Sequence, residues 1–171
     1  MRKLLFKGLF LLFTCCPLLR LNAQTTTIFV FRHAEKDTSQ PGSTQMQADP
    51  PLSKAGLERA LKIPEILKNY RPDSIYSTNF TRTKETARPL LIKFNKSIQL
   101  YDPKLLKQFS EQLLLYTGKT IVVIGHSNTS PALVNLLIGE NRYPNLADSV
   151  YNQYWMVTIT DGKAEAKMLG F

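Results

Sequence analysis

Cysteine is almost missing from this chain of 171 residues. There are two, Cys15 and Cys16, side by side near the start. Everything after them lacks a disulfide, a thiolate nucleophile and a cysteine metal ligand. Histidine is equally scarce, with only His33 and His126, which excludes a three-histidine zinc site and an HExxH helix. No internal repeat, low-complexity tract or Lys/Arg cluster of the kind that marks a nucleic-acid face is visible. What remains is an ordinary globular composition, 43% hydrophobic and 20% charged, in a chain long enough for one domain with its own core.

The first stretch, MRKLLFKGLFLLFTCCPLLRLNAQ, stands apart. It has a basic start, an apolar run from Leu4 to Leu19 broken by Lys7, and a small residue, Ala23, before a polar one. This is the pattern of a secretory signal peptide. Residues 1–23 are therefore expected to direct export, to the periplasm, with cleavage after Ala23, and residues 24–171 to form the functional domain. The alternative is an uncleaved membrane anchor, although the apolar run is short for a spanning helix and contains Pro17. A lipoprotein would need a small residue before the modified cysteine, where Thr14 or Cys15 stands. The segment holds Arg2, Lys3, Lys7 and Arg20 and no acid, so without it the formal charge falls from +9 to +5. That moderate excess suits an anionic substrate and gives no reason to expect a nucleic-acid partner. Membrane contact is expected only if the segment is retained.

Strand and helix patterns then alternate. Residues 26–31, the DSIYST stretch, residues 97–101 and residues 120–124 read as strands, the last buried on both faces. Residues 37–51 are polar and turn-rich. Ser53 can cap a helix reaching about Asn69, with Leu57, Ala60, Leu61 and Leu67 on one face and Pro64 kinking or dividing it. Thr81 or Asn79 can cap a second helix, disturbed at Pro89. Residues 104–116 are amphipathic through Leu105, Leu106, Phe109 and Leu113. A helix starts at Ser130-Pro131 and closes at Gly139. Residues 154–160 and 164–169 pair as a hairpin around Asp161-Gly162. The alternation predicts an α/β three-layer sandwich with a mostly parallel sheet. In such sheets ligands bind beyond the carboxyl ends of the strands, where Arg32, His33 and His126 all fall.

Their chemistry is suggestive one residue at a time. Arginine presents a planar fork of donors matched to phosphate or carboxylate oxygens. Histidine can act as nucleophile, acid or base near neutral pH. Arg82 opens a helix after a strand, where free N–H groups and the dipole already favour an anion; alone it reads sooner as a surface arginine paired with Glu85 or another carboxylate. His126 follows a glycine, with Ser127 and Asn128 supplying further hydrogen-bonding groups; alone it reads as a capped strand end.

Taken together, RHAE after the first strand, TRTKETA after the second and GHS after a later buried strand resemble the histidine phosphatase superfamily, in its phosphoglycerate-mutase-like branch and compact phosphatase form. LSKAGLERA, residues 52–60, is similar to another segment common there. Ala34 replaces the family's usual glycine, and no W-E-G motif is present. The resemblance implies a metal-independent phosphatase with no cofactor, acting on a phosphorylated small molecule. His33 would be the nucleophile, forming a phosphohistidine. Arg32, Arg82 and His126 would hold the transferring oxygens, with Ser127 and Asn128 binding substrate. Asp102 or Glu35 would be the general acid, with Asp37 a further candidate. An exported phosphomonoesterase is the leading expectation. A phosphohistidine phosphatase, a mutase-like enzyme and a non-catalytic phosphate-binding module on the same fold are the alternatives. Residues 37–51 and 139–154 should border the pocket.

Overall fold

A computed structural model describes residues 24–39, 41–42 and 49–171. The expected export segment, 1–23, and the middle of the 37–51 loop lie outside the described residues.

Six strands form one sheet. They are β1 (Thr26–Arg32), β2 (Ser74–Ser77), β3 (Ile98–Leu100), β4 (Thr120–Gly125), β5 (Gln153–Thr160) and β6 (Lys163–Gly170), in the order β3-β2-β4-β1-β5-β6. The first four are mutually parallel where they pair; β5 runs antiparallel to β1, and β6 returns antiparallel to β5. Asp161 and Gly162, both at positive φ, make the tight turn between β5 and β6, as the Asp-Gly pair predicts.

Alternation along the central strands supplies two cores. Ile28, Val30, Ile121, Val123 and Trp155 face α4 (Leu106–Leu114) and α5 (Thr129–Ile138), meeting Phe109, Leu113, Leu133 and Val134. Phe29, Phe31, Val122 and Ile124 face the other way, onto Ile63, Leu67, Ala87 and Leu90. Those belong to or follow α1 (Lys54–Ala60), α2 (Ile63–Ile66) and α3 (Thr81–Phe94). The result is the three-layer α/β sandwich that the pattern of strands and helices predicts.

Three elements differ from expectation. The helix capped by Ser53 is divided as expected, with Pro64 in the first turn of α2, but its buried face is not the expected one. The break rotates the register, so Leu57 and Leu61 turn to solvent while Ala60, Ile63 and Leu67 are buried. Helix α3 runs unbroken through Pro89, because its buried face of Thr83, Thr86, Ala87 and Leu90 holds it on the sheet on both sides of the proline. Its first turn is capped from outside: Asp49 accepts from Thr81 N at 2.7 Å and from Thr81 Oγ1 at 2.8 Å. The expected 104–116 helix begins as a 3-10 turn at Pro103–Leu105, which leaves Leu105 exposed.

Helix α1 sits directly on the chain that leaves β1. Ser53 N donates to the Glu35 carbonyl at 2.9 Å, and a Cβ at Gly56 would collide with that same carbonyl. Gly56→Ala should therefore push α1 off the segment carrying His33 and lower stability by about 1–3 kcal/mol, readable as a shift in the urea midpoint. An unchanged midpoint would mean that this contact is dispensable.

Candidate active site

Strand β1 is buried on both faces up to its end, and the ladder with β4 sets Arg32 opposite Gly125. One further bond, His33 N to the Gly125 carbonyl at 2.9 Å, extends the register past the strand. It brings His33 beside His126, with ring centroids 5.4 Å apart at 67°. A Cβ on Gly125 would meet Ser130 Oγ, Tyr101 Oη and Thr129 Oγ1, all within 3.1 Å, so only glycine allows the strand to pass this point. Ser130 Oγ in turn donates to the Phe31 carbonyl at 2.9 Å, fixing the start of α5 to β1.

Each site residue is then oriented. His33 Nδ1 lies 2.7 Å from the Ala34 carbonyl. A carbonyl can only accept, so Nδ1 carries the proton and Nε2 keeps its lone pair. The Ala34 N–H donates to Thr86 Oγ1 at 2.9 Å, and that hydroxyl donates to the Arg82 carbonyl at 2.7 Å, tying the β1 exit to α3. His126 is held through Nε2, 2.9 Å from Thr78 Oγ1, and its backbone N–H donates to Thr129 Oγ1.

Both arginines are buried, each against an aromatic ring. The Arg32 guanidinium lies 3.9 Å from the Tyr151 ring centroid, and Arg82 lies 4.4 Å from that of Phe80. Arg32 Nη1 donates to three carbonyls, those of Ala147, Asp148 and Val150, at 2.9, 3.2 and 2.7 Å. Its Nε is buried and meets no acceptor among the described residues. Arg82 pairs with Asp49 at 3.5 Å.

These groups open on a cavity of about 790 Å³. Arg32, His33, Arg82, His126, Ser127 and Asn128, drawn from distant parts of the sequence, all line it. Lys36, Thr38, Lys104, Asp148 and Tyr151 complete much of the wall, so the 139–154 segment borders the pocket as expected and, among the described residues of 37–51, Thr38 does too. The two proposed general acids are not brought there. Glu35 turns away to Arg59, whose Nε and Nη2 lie 2.7–2.9 Å from its oxygens. Asp102 is exposed and caps the 3-10 turn by accepting from Lys104 N at 2.9 Å. Asp37 binds the Ser39 N–H on the surface. Among the described carboxylates only Asp148 lines the cavity, 3.9 Å from Arg32 Nη2.

The electrostatics follow from burial. Burial pushes the His33 pKa down to about 3, and His126, Arg82 and Arg32 add to the effect against the opposing Ala34 hydrogen bond. Burial, then Arg82 and Arg32, bring His126 to about 4. Both imidazoles are thus neutral at neutral pH, chiefly through desolvation and less through the arginines. The arginines are also lowered by burial, yet from a starting point that leaves them charged. For Glu35, burial acts upward, but Arg59, its own backbone N–H and Arg32 outweigh it and keep the carboxyl below its usual value. It is a poor proton donor on both geometry and charge.

The sequence reading missed Thr78, Thr86, Phe80 and Tyr151. Thr78 was accessible to the rule that found His33, since it directly follows β2. Tyr151 carries no such signal, because its place depends on how the 139–154 segment returns over Arg32.

The family described as "Histidine phosphatase superfamily (branch 1)" matches residues 28–112, a span holding Arg32, His33 and Arg82. The chain belongs to the histidine phosphatase superfamily. Solved structures agree at the level of fold. The alpha-ribazole phosphatase of Shigella flexneri superposes with a TM-score of 0.70 at 15% identity, over 85% of this chain and 96% of that one. The phosphoserine phosphatase of Entamoeba histolytica gives 0.64 at 17%, over 83% and 95%. The protein histidine phosphatase SixA, in complex with tungstate, gives 0.65 at 16%, over 84% and 96%. By sequence, the metal-independent phosphoserine phosphatase of Arabidopsis thaliana is 35% identical over 69 residues. That match takes in 40% of this chain and spans only 29% of the length of that relative.

The lowered histidines make stability pH-dependent. Their folded pKa values lie below the ordinary 6.5, so the unfolded chain binds more protons as pH falls. Their contribution is intact above about pH 6.5 and is lost progressively toward pH 4 and then 3, at up to about 1.4 kcal/mol per pH unit for each histidine. Urea melts between about pH 7 and pH 4 should show this slope, reduced in His126→Gln. The same slope in that variant would contradict the depressed His126.

Proposed function

We propose that this histidine phosphatase superfamily member is an exported phosphatase that hydrolyses phosphomonoesters through a phosphohistidine on His33. The observation that carries the reading is the convergence, on one cavity, of two buried arginines and a neutral His33 whose Nε2 bears a lone pair. An imidazole fixed in this tautomer is ready to attack, and buried guanidinium groups favour the charge of a transferring phosphoryl group more than exposed ones do.

In the first step the His33 Nε2–P bond forms as the bond from phosphorus to the leaving oxygen breaks, and that oxygen takes up a proton. In the second, water attacks phosphorus, the N–P bond breaks, and phosphate leaves with His33 restored. Arg32, Arg82 and His126 stabilise the equatorial oxygens, while Ser127 and Asn128 bound the site. We assign the first proton to Asp148, the one carboxyl group among the described residues that lines the cavity. Lys36 and Lys104 at the cavity wall suit an anionic substrate. The compact domain, without the W-E-G segment, favours hydrolysis over mutase chemistry. Export rests on the basic and apolar character of residues 1–23.

One observation favours a second substrate class. Neither Glu35 nor Asp102 reaches the cavity, and a phosphohistidine substrate has a leaving group that needs little acid assistance. A phosphohistidine phosphatase, the activity named for SixA, is therefore the alternative.

On an aryl phosphate, His33→Ala should lower kcat/KM by at least about 10³-fold and abolish an acid-labile phosphoryl label on the enzyme. A chelator should leave the wild-type rate unchanged. Full turnover by His33→Ala would exclude the mechanism, and absence of turnover by the wild type on every phosphate offered would favour a binding module. The acid is separable by leaving group. Asp148→Asn should slow alkyl phosphates about 10–100-fold while sparing p-nitrophenyl phosphate, whereas Asp102→Asn should spare both. Loss on alkyl phosphates in Asp102→Asn alone would reverse the assignment.

A further inference from the structure

The edge of the sheet opposite the active site has its own chemistry. All four parallel strands begin there, and three are preceded by a cation. Arg71 stands three residues before β2, Lys96 two before β3, and Lys119 immediately before β4. Lys68, Arg71, Lys93 and Lys96 line one depression of about 580 Å³, with Asp73 as the acid in its wall. Two of the nearby cations are neutralised locally. Lys93 Nζ binds Glu65 at 2.8 Å and the Pro64 carbonyl at 3.0 Å. Lys119 Nζ pairs at 3.2 Å with Asp73, whose other oxygen accepts from Thr120 N. Lys68, Arg71 and Lys96 are exposed and have no ion pair among the described residues.

A fold-internal reason covers part of this. Cations beside the last turn of a helix complement its dipole, and Lys93 and Lys96 flank the end of α3 at Phe94. Arg71 precedes a strand, and Lys68 follows a helix of four residues, so the same reason does not reach them.

The chain also enters the domain at this edge. Gln24 lies against Gly118, and Thr27 N donates to the Lys119 carbonyl at 2.8 Å. Lys119 is the residue paired with Asp73 at the rim of the basic depression. Upstream of Gln24 the sequence from Leu4 to Leu19 is largely apolar, with four basic residues and no acid in residues 1–23. The described chain thus starts on the side of the molecule that carries the basic depression.

We propose that this edge is a membrane-docking face: with residues 1–23 retained, the apolar segment enters a bilayer while Lys68, Arg71 and Lys96 rest on anionic lipid headgroups. An apolar insertion and a basic patch are the two signals that together give stable anchoring where one alone is marginal. The orientation also suits a phosphatase. Strand β1, seven residues long, sets the cavity roughly 20 Å from the docking edge, beyond the screening length of about 8 Å at physiological salt. Headgroup charge would not repel an anionic substrate there. The inference does not depend on the catalytic reading, since docking is measured without turnover.

The test is flotation of the full chain with vesicles of phosphatidylcholine, with and without phosphatidylglycerol. Wild type should prefer the anionic vesicles, with the preference weakening as salt is raised. Arg71→Glu combined with Lys96→Glu should reduce binding to them roughly tenfold, with binding to neutral vesicles unchanged. Circular dichroism and turnover of a soluble aryl phosphate check that the variant is folded, and should that pair unfold, Lys68→Glu with Arg71→Gln replaces it. No preference for anionic vesicles in the wild type, or an undiminished preference in a folded variant, overturns the proposal. Charge-dependent binding to heparin with no vesicle preference also overturns it, in favour of an acidic macromolecule as the occupant.

Discussion

The register that sets Arg32 opposite Gly125 is the constraint on which the site depends. It is enforced by two hydrophobic faces at once, because a slip of one residue would exchange Phe29 and Phe31 with Ile28 and Val30 between two differently shaped cores. The extra bond from His33 N to the Gly125 carbonyl carries that register one residue beyond the strand. The geometry of the cavity residues is therefore inherited from the packing of the sheet. His33 and His126 come from segments more than ninety residues apart, yet their separation is set by a neighbouring pair in one ladder. Gly125 is where this arrangement is tightest, since two hydroxyls of α5 and that of Tyr101 close on it.

Burial at this point has opposite effects on the two kinds of basic side chain. It removes the proton from each imidazole and leaves the guanidinium groups charged, so one environment holds neutral imidazoles beside full positive charges. Keeping two cations so close and so dry needs compensation. Three carbonyls and the Tyr151 ring surround Arg32, and Asp49 and the Phe80 ring attend Arg82. The carbonyl cage has a second consequence: Arg32 holds the 147–151 segment in place, and that segment contributes Asp148 and Tyr151 to the cavity wall. Arg32 and part of the cavity wall are one mechanical unit, and so are Asp49, the first turn of α3 and Arg82.

The fold was legible in the sequence because its signals are local. Continuous apolar runs mark β1 and β4, Pro64 divides a helix, and Asp-Gly turns the last hairpin. Arg32, His33, Arg82 and His126 were legible for a related reason: each lies at or just beyond a strand's carboxyl end or in a helix's first turn, so local structure alone places them on the same edge. Glu35 shows where such reasoning fails. It stands two residues from His33, but Arg59, twenty-four residues on, claims it. Asp102 is likewise consumed by the turn it begins. Whether a carboxylate is available is decided by its partners, and these are tertiary facts. Asp148 is the converse case, inconspicuous in an irregular segment and carried to the cavity wall by Arg32.

A sheet with parallel central strands separates its two edges chemically, and both edges of this one carry basic residues. Strand carboxyl ends and helix N-termini meet at one edge, where the backbone itself favours anions and where the buried arginines stand. At the other, strands begin and helices end, and the backbone dipoles favour cations. Lys93 and Lys96, at the end of α3, are stabilised there by the same polarity that favours anions at the opposite edge. The two positive regions face in opposite directions and lie far enough apart to be screened from each other. Charge at the distal edge can thus vary without changing the field at His33.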